Sequence, residues 1–170
     1  MKLKVWEITL FSILGAVMFV SKLIMEILPN IHLLGMFIIT FTLVFRVKAL
    51  IPIYIFVFLE GIFSGFNVWW IPYLYIWTVL WGVTMLLPKS MPKKISVPIY
   101  AVVCALHGFL YGTLYAPFQA VFFGLDFKGT VAWIVAGLPF DAIHGVSNFF
   151  IGFLIVPLSL ILKRTIKINN

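Results

Sequence analysis

Apolar runs follow one another along this chain with only short polar breaks, the second of them short for a bilayer crossing, and no soluble fold accommodates such a succession. The runs cover residues 5–28, 33–45, 50–66, 72–87 and 97–123, and a sixth carries Trp133 to Asn148 and stays apolar up to Lys163. One bilayer crossing takes about 20 apolar residues. With short turns, 170 residues hold six crossings of that kind and leave no length for a separate soluble domain. Composition agrees: 64% of residues are hydrophobic, 10% are charged and the mean hydropathy is +1.17, more apolar surface than a soluble domain of this size can hide. The expectation is an all-α integral membrane protein, a single domain over residues 1–170 with six transmembrane helices.

The net charge of +7 is not a nucleic-acid footprint, because the basic residues stand singly or in small groups where apolar runs end. With six crossings the inner segments hold Lys2 and Lys4, then Arg46 and Lys48, then Lys89, Lys93 and Lys94, then Lys163, Arg164 and Lys167. Lys128 falls in an outer loop and Lys22 within the first helix. That bias predicts cytoplasmic N- and C-termini. The first run is too long for a signal-peptide core and lacks a small-x-small cleavage site, so it reads as a retained helix. Cys104 has no partner in the chain, which excludes an internal disulfide.

Polar residues inside the apolar runs fall at helical spacing. Asp141, His144 and Asn148 lie at i, i+3 and i+7 and share one face. Glu60, Ser64 and Asn67 do the same, and His107, Tyr111, Tyr115 and Gln119 recur at steps of four. Ionisable groups at membrane depth face the protein interior or a wet cavity and mark a ligand or ion path. The competing reading is hydrogen-bonded packing between helices. Tyr73, Trp77 and Trp81 form an aromatic stripe, which is helix packing or a stacking wall for a flat ring. Trp69 and Trp70 read as interfacial anchors. Ser12, Gly15 and Ala16 allow another helix to approach closely, whether a partner's or this chain's own. Pro117 is expected to kink or end the fifth helix.

Several chemistries lack their motifs. There is no G-x-x-x-x-G-K-[ST] phosphate loop, no H-E-x-x-H and no G-x-S-x-G, so the expectation is a binding protein and not an enzyme. His32, His107 and His144 with Glu60 and Asp141 are too scattered along the chain to predict a metal centre, and no cofactor is expected in this chain. Two other classes stay open. An intramembrane enzyme would use Glu60 or Asp141 beside a histidine. A solitary ion-coupled carrier would need internal repeats or paired broken helices, and the sequence displays neither.

The run Gly137-Leu-Pro139-Phe140-Asp141-Ala-Ile-His144-Gly145-Val-Ser147-Asn148 resembles the Gly-x-Pro-Phe-Asp-x-x-His-x-x-x-Asn pattern in the last helix of substrate-binding S components of energy-coupling factor (ECF) transporters. The resemblance implies a six-helix protein of the bacterial cell membrane. It would bind a water-soluble vitamin or precursor at the outer face and pass it inward by toppling in the membrane. Its partners would be a transmembrane T component and two ABC-type ATPases, which supply the nucleotide site and use the ATP. Where that family carries Ala-x-x-x-Ala for docking on the T component, this chain reads Ser12-Ile-Leu-Gly15-Ala16. The implied substrate-binding residues are Asp141, His144 and Asn148 with Tyr111, Tyr115 and Gln119. Glu60 and Asn67 would close the opposite wall, and Trp77 or Trp133 would stack on a ring. Thiamine or its pyrimidine precursor, pyridoxine, riboflavin and cobalamin-related molecules all remain candidates.

Overall fold

The computed structural model describes residues 3–88 and 91–168, so Lys2 and Lys89 of the expected inner basic set lie outside the described residues, as does the side chain of Lys167. The described chain is all helical, with eight α-helices: α1 (Val5–Met25), α2 (Leu34–Phe45), α3 (Leu50–Ser64), α4 (Tyr73–Leu86), α5 (Lys93–Phe109), α6 (Tyr111–Phe123), α7 (Phe127–Gly152) and α8 (Ile155–Ile168). Short 3-10 turns lead into α3 and α4. Because α5 continues into α6 and α7 into α8, the architecture is a six-helix bundle.

Local chemistry sets the breaks. Asn30 and Arg46 have φ of 61° and 54°, and these two non-glycine residues turn the chain before and after α2. Gly124 ends α6 in the left-handed region at φ 67°, and Asp126 then caps α7 by accepting a 2.7 Å bond from the Gly129 N–H. The fifth run breaks at Leu110 and not at Pro117, which sits inside α6. Membrane helices tolerate such a proline where neighbouring groups satisfy the freed backbone.

Pairings follow from contacts along each helix. The ion pair of Lys48 with Glu7 at one end and of Lys22 with Glu60 at the other make α1 and α3 parallel neighbours. Between those ends Gly15 lets the helices meet: a Cβ there would lie 3.0 Å from the Pro52 carbonyl. α5 and α7 run antiparallel, with Ala101 facing Gly152 and Gly108 facing Gly145. The side chains of Met18, Leu34, Ile38, Ile53, Phe56, Ile76 and Leu80 fill the centre between α1, α2, α3 and α4.

The structure corrects the expectation of six crossing helices. Among the described residues four helical stretches are long and apolar enough to span a membrane: Val5–Met25, Leu34–Ser64, Lys93–Phe123 and Phe127–Gly152. The cytoplasmic placement of both ends rested on the count of six and falls with it. The shortfall has a length argument behind it. With 14 residues, α4 is about 21 Å long, short of a hydrocarbon core of about 30 Å. The last apolar run divides at Phe153 and Leu154, leaving α8 as 14 residues that include Lys163 and Arg164. Leu34–Ser64 counts as one stretch, interrupted at Arg46.

Candidate functional site

Where α1 ends and α4 begins, the bundle opens into a cavity of about 290 Å³. Its walls come from the last turn of α1, the connection from Leu28 to His32, the first residue of α4, the first of α6 and the middle of α7. Arg46 and Lys48 lie at the far end of the bundle: Lys48 meets Glu7 at the start of α1, and Arg46 donates to the Met85 carbonyl at the end of α4.

The break at Leu110 builds the acidic side of the cavity. It starts a new helix at Tyr111, whose first N–H groups have no intrahelical acceptor. Both oxygens of Asp141 accept from the Gly112 N–H, at 3.1 and 3.0 Å, so this acid in the middle of α7 serves as a cap for α6. A glycine is needed there, because a Cβ on residue 112 would come 2.5 Å from an Asp141 oxygen. One Asp141 thus has two neighbours, a helix end on one side and the cavity on the other.

Aromatic rings form the remaining walls. His32 and His144 pack with ring centres 4.3 Å apart, and Tyr111 lies 5.1 Å from His144. Trp77 stands directly behind, 5.9 Å from His32, 5.8 Å from Tyr111 and 5.5 Å from Tyr73. His32 Nδ1, His144 Nε2 and the Trp77 Nε1–H are buried without a hydrogen-bond partner. Burial holds His32, in the connection outside the spanning stretches, well below the usual imidazole range, with His144 and His107 adding to the effect.

At the mouth, Lys22 Nζ lies 3.3 Å from Glu26 and 2.9 Å from Glu60 Oε2. The second contact is an ion pair at close range without hydrogen-bond alignment, since that oxygen has no hydrogen-bond partner. One lysine therefore faces two carboxylates.

Of the residues expected in a site, Asp141, His144 and Tyr111 come together on the cavity, with Trp77 behind them and Glu60 reached through Lys22. Asn148 is fully buried further along α7, where its amide donates 3.3 Å to the Cys104 carbonyl. Tyr115 donates to the Trp69 carbonyl at 2.8 Å and stacks on Trp133 at 5.9 Å, and is not part of the cavity wall. Gln119 is half-buried beyond them, and Asn67 is exposed in the turn before α4. In α1, Ser12 is exposed, Ala16 half-buried and Gly15 buried against α3. The residues that sequence reasoning left out of the site are Lys22, Glu26, His32 and Tyr73. A charged pair four apart at the end of an apolar run, followed by Pro29-Asn30-Ile-His32, was the available signal. His107 bonds the Ile76 carbonyl at 3.2 Å, and no group of three or more metal-ligating side chains converges among the described residues.

Compared with known proteins, the chain matches no family model, no curated protein and no solved structure.

Proposed function

We propose that this all-α, largely apolar multi-helix membrane protein is a substrate-binding subunit of an ECF-type importer. In this reading it captures a water-soluble vitamin or precursor from outside and delivers it inward together with a T component and two ATPases. The observation that carries the reading is the cavity at one end of the bundle, where Asp141, His144 and Tyr111 meet against aromatic walls. Small-molecule sites have this character, apolar and aromatic walls with a few placed polar groups. These three residues belong to two separate stretches singled out by spacing, and two of them lie in the motif that resembles the last helix of S components. The cavity opens away from Arg46 and Lys48, and the preference of basic residues for the inner side of a membrane supports an outward opening.

Native mass spectrometry of the detergent-purified protein, followed by identification of small molecules released on denaturation, tests the reading. The expected result is a vitamin-sized ligand at one copy per chain, and uptake in cells that requires the partner ATPases. Gradient-driven uptake by the chain alone in proteoliposomes would instead make it a solitary carrier.

A further inference from the structure

The same cavity has a size and a charge that narrow what it takes. At about 290 Å³ it sits at the small end of ligand sites, which run from about 300 to 1,000 Å³. One ring, or two small linked rings, fill such a volume. A tricyclic flavin with its side chain, or a corrin, would protrude through the mouth.

The charged groups on the cavity wall are Lys22, Glu26 and Asp141, a formal sum of −1, and Glu60 behind Lys22 makes it −2. Lys22 is already engaged by two carboxylates, Glu26 and Glu60. Asp141, by contrast, has a backbone N–H on one side and no cation among its partners within the described residues. A carboxylate or phosphate on the ligand would meet an acid without a counter-charge and a lysine already taken. A cationic or amine-bearing ring would supply the charge that Asp141 lacks. Its π faces would meet Tyr73 and Tyr111, whose rings suit a delocalised cation, beside the imidazoles of His32 and His144. His32 Nδ1 and His144 Nε2, buried and without a partner among the described residues, stand in this wall as further hydrogen-bonding nitrogens.

Resting on the binding-subunit reading above, we infer that the ligand is a small nitrogen heteroaromatic that carries an amino group or a positive charge and no acid, with that group held by Asp141. Aminopyrimidines and thiazolium compounds are of this class.

Isothermal titration calorimetry of the full chain in detergent tests this with five probes: thiamine, 4-amino-5-hydroxymethyl-2-methylpyrimidine, thiamine monophosphate, nicotinate and riboflavin. One of the first two is expected to bind at least about 100-fold more tightly than any of the other three, as an unpaired buried charge demands. Asp141→Asn keeps an oxygen for the Gly112 N–H and is expected to weaken the tight probe by about 10- to 100-fold. The wild-type ratio of thiamine or the pyrimidine to thiamine monophosphate decides the matter even if that variant fails to fold. Tight binding of riboflavin, nicotinate or the monophosphate overturns the inference and leaves the binding-subunit reading in place. Binding of none, from protein that releases no ligand on denaturation, overturns both.

Discussion

Asp141 and Asn148 share a face of α7, yet the fold gives them different surroundings. Asp141 looks into the cavity, whereas Asn148 has no exposure and holds the Cys104 carbonyl of α5. Asn148→Ala is therefore expected to lower stability by about 1–3 kcal/mol, read as an earlier thermal unfolding midpoint, with ligand affinity unchanged. Asp141→Asn is expected to do the reverse, losing affinity while the melting midpoint stays near wild type. His32 gives a pH prediction. It is held neutral in the fold, so its contribution is complete above the ordinary imidazole value of about 6.5 and declines as pH falls below it. Melting midpoints measured from pH 7.5 to 5 should fall, and the fall should be smaller in His32→Gln. Spacing alone put Asp141, His144 and Asn148 on one face, since helical period is a local property. It carried no information on which of them reaches open space, because that depends on what α5, α6 and the α1–α2 connection bring against α7.

At the scale of elements, the α1–α3 pair is fastened at both ends by lysine–glutamate contacts, Lys48 with Glu7 and Lys22 with Glu60. Removing Lys22 from the Lys22–Glu60 pair leaves a nearly buried acid uncompensated, since Glu60 is 2% exposed. Lys22→Met is expected to cost about 3 kcal/mol or more, and Lys22→Met with Glu60→Leu markedly less, measured as a double-mutant cycle on thermal unfolding. The α5–α7 contact depends on backbones touching. A Cβ on Gly108 would lie 2.8 Å from the Gly145 backbone and 2.9 Å from the Asn148 amide, so Gly108→Ala should destabilise by about 1–3 kcal/mol. The existence of these helices was legible as apolar runs between polar breaks, and α1 to α4 end within about three residues of the expected limits. The break at Leu110 was not legible. Proline is the local signal for a break, and Pro117 stays helical here. The interruption at Leu110 is stabilised by an acid from another helix, Asp141, 29 residues ahead of the Gly112 it caps.

For the whole molecule, the arrangement separates a cavity end from a basic end. A cysteine at Ile27 and one at Lys94, each in a Cys104→Ser background, should react with a membrane-impermeant maleimide from opposite sides of sealed vesicles. Reaction of both from the same side would contradict that separation. The bundle was legible from composition and periodicity. The number of membrane-length helices was not, because each apolar run reads as one crossing, whereas α4 has 14 residues and the stretch Leu34–Ser64 turns at Arg46. One residue behind the cavity has a practical consequence. Trp77 is 1% exposed and is enclosed by His32, Tyr73, His107 and Tyr111, with its Nε1–H unpaired. An indole so placed is an intrinsic optical probe: a ligand entering beside it changes its emission wavelength and intensity. Subtracting the spectrum of Trp77→Phe isolates that signal from the other five tryptophans, so occupancy can be followed in real time without attaching a dye.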